Sequence, residues 1–131
     1  MDLLSVGIDI VELRRIRAAY ARHGERFLRR ILTPGERARA ARLGDPAPFL
    51  AGRFAAKEAI LKVLGTGLAE GVSWRDIHVE REASGAPRAE LSGRALERAR
   101  SKGLEKILVS ISHGREYAIA QAVGLGKEGE P

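Results

Sequence analysis

The sequence predicts an α+β fold, on three observations. Helical periodicity and helix-end signals crowd into residues 12–64, strand-like runs and turn residues dominate residues 76–123, and one more strand-like run opens the chain at residues 6–11. Residues 6–11 are apolar and rich in β-branched side chains, which reads as a buried strand. A helix follows over residues 12–23, with Leu13, Ile16 and Tyr20 at helical spacing and Gly24 as its stop. Residues 27–32 add a further helical turn or two. Thr33-Pro34-Gly35-Glu36 then has the capping residue, the first-turn proline and the glutamate three places on that make a capping box, so a helix is expected to about Leu43.

The strongest helix signal covers residues 49–64, between the break Gly44-Asp45-Pro46-Ala47-Pro48 and the stop Gly65-Thr66-Gly67. Residues 76–82 alternate around Ile77 and Val79 as a strand, Ser84-Gly85-Ala86-Pro87 turns the chain, and residues 88–91 pair back. A helix over residues 94–102, ended by Gly103, leads into strands over residues 107–112 and 117–123, joined by His113-Gly114-Arg115-Glu116 as a hairpin. A chain of 131 residues is one domain by length, here residues 1–124, and residues 125–131 read as a disordered tail.

Composition narrows the function classes. With no cysteine, disulfides and thiolate metal sites are excluded. No apolar run reaches the roughly 18 residues of a membrane helix, and the opening Met1-Asp2-Leu3-Leu4 lacks a basic signal head, so a cytoplasmic protein is expected. The net charge of +6 is unevenly placed: residues 1–62 carry 13 basic and 7 acidic side chains, whereas residues 63–131 carry 10 of each. Ten arginines lie between positions 14 and 42, against only Glu25 and Glu36. Such a concentration implies an anionic partner or a solvated helix face, and charge alone does not choose between nucleic acid, membrane and acidic protein. The few aromatic residues and the absence of a reader motif speak against nucleic acid.

Candidate chemistry starts on the long helix. Its apolar residues point in nearly every direction, as in a buried helix, yet it carries Arg53, Lys57, Glu58 and Lys62. Buried charges need partners or a ligand. A local Glu58–Lys62 pair at i,i+4 accounts for two of the four, and Arg53 with Lys57 suggests an anion held between helix and sheet. Asp9 interrupts the first strand on the face shared with Gly7 and Val11, where a carboxylate is costly unless it pairs with a cation of the helix or a neighbouring backbone donor, or holds a metal ion. Two hard carboxylates, Asp9 and Glu58, suit magnesium, which commonly takes one or two protein acids and completes its octahedron with water and phosphate oxygens. His113 ends a strand at a turn where it can face a ligand, and Gly65-Thr66-Gly67 lacks the spacing of a phosphate-binding P-loop.

Five segments occur in order: Gly7-Ile8-Asp9-Ile10-Val11-Glu12, Phe54-Ala55-Ala56-Lys57-Glu58-Ala59, Lys62-Val63-Leu64-Gly65-Thr66-Gly67, Ser84-Gly85-Ala86-Pro87 and Ser110-Ile111-Ser112-His113. Together they resemble the holo-acyl-carrier-protein synthase group of phosphopantetheinyl transferases over about residues 6–123. Ser5 departs from the glycine more often found there. The resemblance implies a long central helix packed on an antiparallel sheet, and a homotrimer with sites between subunits. It implies coenzyme A as co-substrate, magnesium as cofactor and an acidic apo acyl carrier protein as acceptor, while composition gives the expectation of no nucleic acid or membrane partner. By the same resemblance Asp9 and Glu58 hold the metal ion, and Lys62 contacts the pyrophosphate. Arg53, Lys57 and His113 bind phosphates, while Gly65, Pro87 and Ser112 lie along the nucleotide. Arg14, Arg22 and Arg26, with Phe27 as an apolar anchor, dock the carrier.

Overall fold

The computed structural model describes residues 1–68 and 71–127. Among these, five strands form one antiparallel sheet in the order β1-β5-β4-β3-β2, with β1 Asp2–Glu12, β2 Ile77–Arg81, β3 Pro87–Leu91, β4 Leu104–His113 and β5 Tyr117–Gly126. Five helices accompany it: α1 Leu13–His23, α2 Glu25–Ile31, α3 Pro34–Ala40, α4 Ala47–Leu64 and α5 Gly93–Ser101. The α+β expectation holds, with β1 set against β5 at one edge of the sheet. The predicted tail begins too early, because Leu125 and Gly126 continue β5, where Leu125 pairs with both Leu3 and Lys106. Residues 128–131 of that tail lie outside the described residues.

The capping box forms as its sequence predicts. The Thr33 hydroxyl accepts the Glu36 N–H (3.3 Å) and the Glu36 carboxylate accepts the Thr33 N–H (2.8 Å). α3 nevertheless ends at Ala40, short of Leu43, because Arg42 and Leu43 donate to the carbonyls of Arg39 and Ala40 in tight i→i+3 turns.

α4 is the spine of the core. Thirteen of its 18 residues are buried, as expected of a helix apolar all round. Leu50, Ile60, Leu61, Val63 and Leu64 are almost wholly removed from water, each worth about 1.5–3 kcal/mol. Its small residues meet Ala118, Ala120 and Ala122 of β5, all fully buried, so helix and sheet lie close. Gly7 brings β1 equally near: a Cβ there would stand 2.1 Å from the Ala59 carbonyl oxygen. The Ser5 hydroxyl donates to the Val63 carbonyl (2.8 Å), tying β1 to the last turn of α4.

The expectation of a wholly buried first strand is corrected. Gly7 and Val11 face α4 and are buried, but Val6, Ile8 and Ile10 are 56%, 61% and 58% exposed. The helices cover one face of the sheet only, so strand alternation turns every second β1 side chain outward. Register aligns Ile10 with Ile119, and Val6 with Val123 and then Leu108, which extends the uncovered apolar face over three strands.

Candidate active site

Helical periodicity divides the four charges of α4. At 100° per residue, Arg53 and Glu58 point about 140° apart, as do Lys57 and Lys62. Glu58 and Lys62 share the side facing β1, whereas Arg53 and Lys57 face α3 and β2.

On the β1 side the close approach at Gly7 places Asp9, two residues further on the same strand face, against α4. The Lys62 ammonium donates to the Ile8 carbonyl (2.6 Å) and to Asp9 Oδ1 (3.4 Å), so the ion pair of Lys62 runs to the strand rather than along the helix. Glu58 is half-buried. Burial, first, and then the neighbouring charge of Asp9 raise its carboxyl pKa, with Lys62 acting in opposition. A carboxylate whose charge is disfavoured by burial and by a second acid, beside a lysine, makes an oxygen-rich corner that a hard divalent cation would relieve. Among the described residues no cluster of three or more metal-ligating side chains forms. Two acids are sufficient for magnesium, which commonly keeps waters and substrate phosphates as its remaining ligands. Gly65, about one turn beyond Lys62 and two beyond Glu58, ends α4 with φ 73°, a left-handed geometry that glycine adopts freely.

On the other side, a cleft of about 530 Å³ is lined by Phe49, Arg53, Arg81, Pro87, Ser112 and His113. Arg39 also borders it. The predicted residues Arg53, Pro87, Ser112 and His113 therefore do converge. Phe49, Arg39 and Arg81 join them without having been anticipated. Arg39 was legible only as one of ten arginines, and Arg81 only as the end of a strand. The Arg53 guanidinium lies 4.5 Å from the Phe49 ring centroid and donates through Nε to the Val79 carbonyl (3.1 Å). Arg39 lies over the same ring at 5.8 Å. Burial pushes the Arg53 pKa down to about 10; Glu36 opposes the shift, and Arg39 and Arg81 add to it. A buried cation crowded by two others is poised for an anion.

Lys57 belongs to neither group, which corrects its expected place among phosphate ligands. Its side chain is 0% exposed, and its ammonium donates to Glu36 Oε1 (2.6 Å), the Ile31 carbonyl (2.6 Å) and the Trp74 carbonyl (3.2 Å). All three N–H donors are spent inside the protein, leaving none for a ligand.

The expected docking residues form a third region. Arg14, Arg22 and Arg26 are exposed on α1 and α2, and Phe27, half-buried, shares a shallow recess with His23, Arg26 and Arg30. Arg14 pairs with Glu12 at 2.9 Å in open solvent, a contact of little energetic weight, while Arg17 grips Asp45 through two 2.9 Å bonds.

The sequence model of the 4′-phosphopantetheinyl transferase superfamily matches residues 5–122. A holo-[acyl-carrier-protein] synthase of Maridesulfovibrio salexigens is 48% identical over 92% of this chain and 97% of its own length. The crystal structure of the holo-[acyl-carrier-protein] synthase of Neisseria meningitidis superposes with a TM-score of 0.86 at 36% identity, covering 95% of this chain and 99% of that one. The Helicobacter pylori holo-[acyl-carrier-protein] synthase in complex with coenzyme A gives 0.81 at 34% identity, over 92% and 100% of the two chains. With its acidic corner, its arginine cleft and a family match spanning nearly every element described, the chain belongs to the 4′-phosphopantetheinyl transferase superfamily.

Proposed function

We propose that this chain transfers the 4′-phosphopantetheine group of coenzyme A to a serine of an acidic apo acyl carrier protein, releasing 3′,5′-ADP. One observation carries the reading: Asp9, Glu58 and Lys62 stand together at the β1–α4 contact, two acids and a cation of the kind a diphosphate and a divalent ion require. The serine oxygen bonds to the β-phosphorus, next to the pantetheine, and that phosphorus loses its bond to the bridging oxygen. The oxygen leaves on 3′,5′-ADP and the serine proton goes to solvent.

The residues divide the work of alignment and charge neutralisation. Lys62 offsets charge gathering on the leaving phosphate. Asp9 and Glu58 would hold magnesium, which when bound supplies Lewis-acid polarisation of the diphosphate. Arg53, Arg39, Arg81 and His113 receive the phosphate-bearing nucleotide, with Pro87 and Ser112 along it. Gly65, at the end of α4, would lie along the nucleotide. Arg14, Arg22, Arg26 and Phe27 receive the carrier, for which a positive surface gives steering and orientation.

The assembly we propose is a homotrimer. The acidic corner and the arginine cleft lie on sides of α4 about 140° apart, so one donor reaches both more readily when adjacent subunits each contribute one half. The exposed apolar sheet face of Val6, Ile8, Ile10, Leu108 and Ile119 supports this, since such a patch on a small protein is ordinarily covered. Among the described residues no helix is long and apolar enough to cross a membrane, and a cytoplasmic setting follows from the substrates proposed. The direct test is mass spectrometry of apo carrier protein incubated with this chain, coenzyme A and magnesium. A gain of one phosphopantetheine on the carrier serine is expected, and an unmodified carrier would refute the activity.

A further inference from the structure

Among the described residues four polar or charged side chains are buried, Thr33, Glu36, Arg53 and Lys57, and all four belong to one hydrogen-bonded network. Glu36 is its centre. Its Oε1 accepts from Lys57 (2.6 Å) and from the Thr33 N–H (2.8 Å), and its Oε2 accepts the Val79 N–H (2.8 Å). The peptide carbonyl of that same Val79 accepts Arg53 Nε (3.1 Å). The carboxylate thus sets the place of one β2 residue against α4, and that residue in turn holds the guanidinium bordering the cleft. Phe49 supports the guanidinium from its other side at 4.5 Å.

We propose that Glu36 is a positioning residue for the donor nucleotide: through Val79 it aims Arg53 into the cleft, and Lys57 is the counter-ion that allows the carboxylate to be buried there. The proposal rests on the reading of Arg53 as a nucleotide contact. It gives Lys57 a function without any contact to substrate. A pair serving stability alone would need only Lys57 and the cap. The second carboxylate oxygen, spent on β2 directly beneath the arginine cleft, is what connects the pair to ligand binding. The Glu36 carboxylate also acts electrostatically on Arg53 against the repulsion of Arg39 and Arg81.

A double-mutant cycle separates positioning from stability. The affinity of 3′,5′-ADP is measured by titration calorimetry, well below the melting temperature, for the wild type, E36Q, R53A and E36Q/R53A. In E36Q a single side-chain oxygen remains, so its amide group faces a donor and one of the two links is lost. E36Q is expected to weaken binding about tenfold in the wild type, and by less than twofold once Arg53 is gone. The same variant should raise the donor KM about tenfold with kcat within twofold at saturation. If E36Q fails to fold by circular dichroism, E36Q/K57M, which removes the stranded ammonium, takes its place with the same expectations. Losses that multiply in the two backgrounds, or folded E36Q binding as tightly as the wild type, would overturn the positioning role alone. A wild type that does not bind 3′,5′-ADP at all would instead overturn the function proposed above.

Discussion

Lys57 and Lys62 stand five residues apart on one helix and live in opposite surroundings. The side chain of Lys57 is 0% exposed and locked by three hydrogen bonds, whereas that of Lys62 is 53% exposed and leans over Asp9 and the Ile8 carbonyl. The same 140° of helical rotation separates Arg53 from Glu58. Around Lys57 the helix is packed and every ammonium donor is satisfied. The other side carries two acids held near each other, an arrangement that costs stability when nothing binds. The proposed chemistry is placed where the fold is least comfortable.

Replacing the acid should break this contrast most sharply. We expect E58Q to lower turnover by roughly a hundredfold to a thousandfold, read by single-turnover carrier modification with magnesium present. Its melting temperature without metal should stay the same or rise. The sign follows from the raised pKa: the folded state binds the Glu58 proton more tightly than the unfolded state does, so the ionised form opposes folding at neutral pH. Stability from this group therefore recovers as pH falls through its folded pKa toward the unfolded value, and E58Q should flatten that part of the pH–stability curve. Near-normal turnover would remove Glu58 from the site.

The two lysines should then diverge. K62A is expected to lose turnover by roughly a hundredfold with a nearly unchanged melting temperature, because its bonds are exposed. K57A leaves Glu36 buried without its counter-charge and should lose about 3–5 kcal/mol by urea unfolding. If K57A unfolds like the wild type, the buried pair does not carry the weight given to it. G7A tests the contact that brings the two acids together: its new methyl would meet the Ala59 carbonyl, so a loss of about 1–3 kcal/mol is expected, with turnover falling as Asp9 moves away from Glu58. The smallest effect belongs to the rim. R14E should raise the carrier-protein KM about tenfold at low salt and leave donor affinity intact, and an unchanged KM would remove α1 from the docking face.

The sequence was most readable where a local rule governs. The capping box at Thr33 and Glu36, the stop at Gly65 and the all-round apolar character of α4 each follow from chemistry within a few residues, and each appears in the structure. Asp9 was assigned to the face of Gly7 and Val11 by alternation alone, and the structure places it there. The pairing of Asp9 with a helix cation was among the alternatives, and Lys62 supplies it; what stayed unread shares one reason. The partner of Lys57 is Glu36, which is 21 residues away; that of Lys62 lies 53 residues away; and Arg39 and Arg81 reach one cleft from different elements. Pairings across such separations leave no periodic trace. The spacing of Glu58 and Lys62 even favours a local pair that β1 displaces.

By itself the sequence determined the elements, the side of β1 that bears an acid, the excess of positive charge near the start of the chain and, through five ordered segments, the family. Only the tertiary structure decided which cations are available to a ligand. Burial and pairing depend on which distant backbone groups reach an ammonium or a guanidinium. For Lys57, the Ile31 and Trp74 carbonyls and the Glu36 carboxylate saturate every donor, while for Arg53 one edge remains turned toward a cleft.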